Sequence, residues 1–255
     1  MKFPSWVWLP ALLVGVVLVS FSAPASAEIP EAPPVSKFAP AEDLAAQADE
    51  YIEDLEEAVA SESEFEDSKS KVEKSANTLV VIALALGLHD TDNAYKAGAS
   101  AMIKAAQELA MAENYAAAKK AVAALKAAKT ASGSSGDLKW AKVANLKALM
   151  EQVPLVNIKL KRYTSARRFE RKAKDTAGYA AVLAAIAQGS MANAGDTEKP
   201  NELEKWYKYC AQMRDAAAEV NKNIRAGDIE ATEKAMEALA QSCDDCHAVF
   251  HEEAL

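Results

Sequence analysis

From Ala41 onward, apolar residues return every three to four positions on an alanine-rich, glycine-poor background, the period of helices that bury one face. No stretch keeps the strict alternation of a strand. Polar or turn-forming residues interrupt the pattern at Ser61–Glu64, Gly87–Asp92, Ala112–Asn114, Ala131–Gly136, Arg162–Arg171, Gly189–Asn201 and Ala226–Asp228. The breaks predict about eight helices and an all-α fold.

Such a helix set can form a solenoid, one large bundle or two small ones, and internal similarity separates these cases. Tyr115–Leu125 lies over Ile229–Leu239 with Ala117, Lys120, Ala121, Ala124 and Leu125 identical in the second copy. Ala76–Leu86 likewise lies over Ala177–Ala187 with the same order of small and aliphatic residues. A duplicated unit whose loops have drifted in length explains both matches. The expectation is two antiparallel four-helix bundles in tandem, residues 41–131 and 137–255, joined by the flexible run Gly133-Ser134-Ser135-Gly136.

The residues before Ala41 follow a different pattern. Lys2, the apolar run Val7–Phe21 and the Ala25-Ser26-Ala27 cleavage site read as a signal peptide, residues 1–27, that directs export to the periplasm. The apolar run is shorter than the about 18 residues of a membrane span, so no span is expected after cleavage. Pro30, Pro33, Pro34 and Pro40 mark residues 28–40 as an extended linker, with the folded part beginning near Ala41.

Charge narrows the partners. The chain holds 29 Lys and Arg against 37 Asp and Glu, a formal net charge of −8, and loss of Lys2 with the leader gives 28 − 37 = −9. An acidic surface of this kind repels nucleic acid. Against it stands a basic run, Lys159, Lys161, Arg162, Arg167, Arg168, Arg171, Lys172 and Lys174, which reads as a solvated face, as a steering surface for an acidic redox partner, or as a contact for the acidic groups of a bound cofactor.

The candidate chemistry lies near the end of the chain, where Cys243-Asp244-Asp245-Cys246-His247 spells C-x-x-C-H, the signature of covalent c-type haem attachment. On a helix the three functional side chains fall at i, i+3 and i+4, so two thiols and an imidazole share one face. Two other readings of C-x-x-C fit less well. A thioredoxin-like dithiol wants a preceding strand, and a structural zinc site wants four ligands where the rest of the chain offers only Cys210, His89 and His251. Cys210, beside Trp206, Tyr209 and Met213, reads as a small apolar residue on a buried stripe. His89 reads as a cap on the second helix. In the first repeat Cys243, Cys246 and His247 lie over Lys129, Ser132 and Gly133, so one haem is expected.

A secreted helical bundle with C-x-x-C-H in its final helix resembles the class II cytochromes c, of the cytochrome c′ and c556 type. The resemblance covers the second half, through Cys243–His247 and Phe250, and reaches the first half only through the repeat. It implies a haem c held between the first and last helices of the second bundle, with His247 as proximal iron ligand and Cys243 and Cys246 as thioether anchors. It also implies a sixth position that is either open or filled by methionine from the first helix, expected over Leu138–Leu160. Met150 is the candidate there, on a stripe with Leu146, Leu149 and Val153; if Met150 only packs, Leu146 or Leu149 caps an open site. His251 stands where the family commonly has a basic residue.

The expected function is that of a non-enzymatic periplasmic electron carrier, cycling one electron with redox partner proteins. The alternative is a five-coordinate haem protein that binds nitric oxide or carbon monoxide as buffer or sensor. A recognisable distal acid–base set for peroxidase-like chemistry is not evident. Homodimerisation, frequent in the resembled family, is compatible with either.

Overall fold

The computed structural model describes residues 29–131, 136–164 and 169–251, apart from the side chain of residue 170. The expected signal peptide and most of the Gly133–Gly136 joint lie outside the described residues, as do Arg167 and Arg168. Among the described residues the protein is all-helical: α1 (Ala41–Ala58), α2 (Glu62–Leu88), α3 (Ala99–Ala110), α4 (Tyr115–Lys129), α5 (Leu146–Tyr163), α6 (Phe169–Ser190), α7 (Leu203–Ala226) and α8 (Ile229–Phe250), with short 3-10 helices at Val35–Lys37 and Met191–Asp196. No described helix is long and apolar enough to cross a membrane.

Two helices form the centre. Every residue of 76–86 in α2 and of 177–187 in α6 is buried, which is what an alanine-rich helix apolar on all sides requires. These are the stretches that match in sequence. Around them the packing follows the repeat: α1 lies on α2 and α6, α5 lies on α6 and α2, α3 packs between α2 and α4, and α7 between α6 and α8. One continuous apolar core runs through both halves.

Polar ties fasten the halves together inside this core. The Asn221 amide of α7 donates to Asp43 of α1 at 2.7 Å and to the Ala177 carbonyl of α6 at 2.8 Å. Gln152 of α5 donates to the Tyr51 hydroxyl of α1 at 2.9 Å. Burial raises the Asp43 carboxyl above its ordinary range, opposed by the Asn221 hydrogen bond and the Arg225 guanidinium at 2.9 Å. Removing one partner of such a buried set leaves the other unsatisfied, which costs more than the bond itself contributes.

Two expectations from the sequence require correction. Residues 28–40 are not a free linker: Val35, Phe38 and Ala39 are buried in the core, and Val35–Lys37 forms a 3-10 helix. The prolines exclude a longer helix but not packing, because Phe38 has an aromatic neighbour in Trp140 (ring centroids 6.4 Å) and the Arg214 guanidinium over its ring. Ser36 clasps Asp90 with its amide at 2.8 Å and its hydroxyl at 2.5 Å, and buried His89, the C-cap of α2, reaches the Ala39 carbonyl at 3.0 Å. The fifth helix starts at Leu146 rather than Leu138, with Asn145 as its N-cap.

The clasp makes a pH prediction. Hydrogen bonds from the Ser36 side chain and amide hold Asp90 down at about 2, below its ordinary value of 3.8. A depressed folded-state value stabilises above the unfolded one, so the docking of residues 34–39 should loosen as pH falls from about 4 towards 2, and Asp90→Asn should flatten that dependence in hydrogen exchange of Ser36. Phe38→Ala should lower unfolding free energy by about 3–5 kcal/mol in denaturant titration, whereas a free linker would be indifferent.

Candidate functional site

The start of α5 is held by side-chain amides from three other elements. Gln107 of α3 donates to the Val143 carbonyl at 2.8 Å, Asn193 of the 191–196 helix to the Ala144 carbonyl at 3.0 Å, and the Asn145 amide to Asn77 of α2 at 2.8 Å. Asn145 then caps the helix, accepting from the Ala148 amide at 3.0 Å, one of the orphan donors of a helix N-terminus. This anchoring fixes the rotation of α5. Leu149 points into the main core, fully buried, while Leu146 and Pro154 line the cleft together with Met150, which also packs partly against the main core.

The last helix is seated just as definitely, but on α7. Gly227 ends α7 in the left-handed conformation (φ 74°) that glycine adopts without strain, and Asp228 caps α8 by accepting from the Ala231 amide at 2.9 Å. At the far end Phe250 is buried edge-on against Trp206 (centroids 5.3 Å) and Tyr209 (6.2 Å) in a second small apolar cluster with Met191, Ala194 and Cys210. The Trp206 indole is itself fixed by donating to the Ser190 carbonyl at 3.0 Å. Such aromatic pairs contribute about 0.5–1.5 kcal/mol beyond area burial.

Because α8 is packed on α7 and not closely on α5, a cleft of about 770 Å³ remains between α5 and α8. Leu146, Met150 and Pro154 line one wall, Cys246, His247, Phe250 and His251 the other, with Trp206 and the pair Lys142 and Asp196 at its margins. Most of the side-chain surface is apolar. The size falls within the range of cofactor clefts, about 300–1,000 Å³. Cys243, one turn before Cys246, is partly buried and does not line the cleft itself, although Lys161 of α5 is near enough to act on it electrostatically.

The repeat sharpens this geometry. In the first half α1 and α4 pack directly, and ion pairs Lys126–Glu56 and Lys129–Asp49 bridge them. Lys129 is the residue that lies over Cys243. The position of the first thiol is thus occupied, in the other copy, by a cation that closes the equivalent gap; Ser132 and Gly133 lie outside the described residues.

Electrostatics suits neutral donors. Burial and the neighbouring His251 lower the His247 imidazole below its ordinary value, and His251 stacks edge-on against it (centroids 5.8 Å) while pairing with Glu198 at 3.5 Å. Burial pushes the Cys246 thiol up to about 11 and raises Cys243 as well. All three cysteines are free thiols. Among the described residues no group of three or more His, Cys, Asp and Glu converges. No described strand precedes the motif, which disfavours the thioredoxin-like reading.

The sequence offered Leu146, Leu149 and Met150, and the structure separates them: Leu146 and Met150 line the cleft, and Leu149 does not. It also brings in Trp206, Lys142, Asp196 and Glu198, which carry no local motif. Trp206 had a signal, its place on the Cys210 stripe, but the stripe alone does not say which cleft it borders. Comparison of the chain with family models, with curated proteins and with solved structures gives no match.

The thiol environments are directly measurable in the cofactor-free protein. Alkylation of Cys246, followed by peptide mapping, should be slow at neutral pH and accelerate as pH rises towards 11, and Cys243, also raised by burial, should label more slowly than a free thiol at neutral pH. Cys210, buried with its thiol raised further by desolvation, should label only on unfolding.

Proposed function

We propose that this protein is a mono-haem c-type cytochrome of the cytochrome c′ and c556 kind, built from two similar helical halves on one shared core, of which only the second half carries haem, and that it transfers single electrons in the periplasm. The observation that carries the proposal is the α5–α8 cleft, in which Cys246 and His247 face Met150 across a mostly apolar space. The donor set fits a haem. Bound haem would need one protein nitrogen, and His247 on the cleft wall offers it.

When bound, the haem supplies a one-electron iron couple. Cys243 and Cys246 would anchor it as thioethers, each thiol adding its S–H across a vinyl group so that no electrons are gained or lost. Their raised values keep the protons on sulfur at neutral pH until that addition. His247, held neutral by burial, would present a ring nitrogen to the iron. Met150 would offer a thioether from the opposite wall, the ligation that gives a six-coordinate, higher-potential carrier. Leu146, Pro154, Trp206 and Phe250 exclude water, and an apolar shell of this kind also raises the potential. Partners would be redox proteins, with no catalytic residue of its own.

One observation favours the second function, capture of nitric oxide or carbon monoxide at a five-coordinate iron. Met150 packs partly against the main core, which can retain its sulfur there. Pro154 denies the Met150 carbonyl its helical hydrogen bond, a local freedom that bears on which way the side chain turns.

Resonance Raman and absorption spectra of the ferrous protein, expressed with c-type maturation machinery, separate the two. The carrier requires a low-spin spectrum that Met150→Ala converts to high-spin. A high-spin spectrum that Met150→Ala leaves unchanged would instead establish the gas-binding form. Cys243→Ala with Cys246→Ala should abolish covalent haem in both.

A further inference from the structure

We propose that the C-terminal half of α5 is the docking face for an acidic redox protein, placed beside the haem edge; this rests on the haem function proposed above. Only three large apolar side chains are strongly exposed among the described residues, Met111 (72 %), Ile158 (62 %) and Leu155 (44 %). Two of the three sit within one turn of each other on α5. Ile158 lies one helical turn beyond Pro154, which lines the cleft, so the apolar patch continues the cleft wall onto the surface.

The same turn of helix carries the positive charge. Lys161 and Arg162 are exposed, and no ion pair is found for either among the described residues, whereas neighbouring Lys159 is neutralised by Glu50 and Lys172 by Asp175. Arg162 lies over the Tyr163 ring at 5.9 Å, as does Lys172 at 6.0 Å, which brings the end of α5 and the start of α6 into one basic corner. Lys161 also lies within electrostatic reach of Cys243, so the corner neighbours the helix that carries the motif.

Charge decides the occupant. An apolar centre with a basic margin, on a chain of net charge −8, complements a local acidic patch on another protein. A second copy related by two-fold symmetry would bring Lys161 and Arg162 towards their own kind. An anionic lipid surface would be opposed by the net negative charge of the whole molecule, and two apolar side chains offer little to insert.

The test uses the reduced, haem-loaded full chain and the anionic oxidant ferricyanide in stopped flow across an ionic-strength series. If the local basic corner governs access to the haem, the rate falls as salt rises, opposite to what the net charge dictates. Lys161→Glu with Arg162→Glu should then slow the reaction about tenfold at low salt and reverse its salt dependence. Poly-L-glutamate, a stand-in for an acidic face, should inhibit the native protein and not this variant.

A native rate that rises with salt, or a double variant indistinguishable from native with its haem spectrum intact, would overturn the docking face while leaving the haem function standing. Failure to bind haem at all would overturn the function beneath it, and is read separately from the spectrum. Two further outcomes would replace the acidic partner: a dimer in sedimentation that Ile158→Ser dissociates, or binding of the native protein to phosphatidylglycerol vesicles.

Discussion

The seating of α8 on α7, through Phe250 wedged against Trp206 and Tyr209, is the contact on which the rest of the second half depends. Burying a Phe side chain contributes about 1.5–3 kcal/mol, and here that gain is made on the α7 side of the helix. The consequence is geometric. With its terminal turn committed to α7, α8 leaves α5 across a cleft, and the face carrying Cys246 and His247 opens onto that space. The anchored start of α5 supplies the opposite wall and turns Met150 towards it.

The first half shows the same helices with the gap closed. There α1 and α4 touch and are bridged through Lys126 and Lys129 to Glu56 and Asp49, and Asp49 also accepts from the Tyr95 hydroxyl. Exposed ion pairs contribute little to stability, typically up to about 1 kcal/mol, so their interest lies in the geometry they select. Lys129, which lies over Cys243 in the sequence match, bridges α4 to α1 through Asp49. The central helix of the first half, α2, packs on both α5 and α6 and so supports the cleft wall from behind.

Helix content was legible because alanine-rich amphipathic segments with polar breaks admit few alternatives: α2, α4 and α8 begin within a few residues of Ser61, Asn114 and Asp228, each of which caps its helix through a side-chain oxygen. The C-x-x-C-H face was legible for the same reason, since helical spacing alone puts Cys246 and His247 side by side. Long-range partners were not. Nothing local in Val35-Ser36-Lys37-Phe38 reveals that Asp90 and Arg214 await it, and prolines nearby argue for an extended chain. Residues 138–145 carry enough apolar positions to suggest helix, yet tertiary hydrogen bonds from Gln107 and Asn193, and one from the Asn145 amide to Asn77, hold 143–145 as an irregular strap. Leu149 and Met150 are adjacent in sequence and share a broad apolar stripe; only packing against the core separates their directions.

The proposed function requires the α5–α8 cleft to be a seat for one covalently bound haem. Its most direct measurement is the intact mass of the full-length protein matured in an exporting host, taken after acid denaturation and followed by mapping of the modified peptide. The account predicts one haem retained on the peptide that contains Cys243 and Cys246, and none elsewhere. A protein that leaves such a host with both thiols free or joined to each other, and with no haem mass, would contradict it.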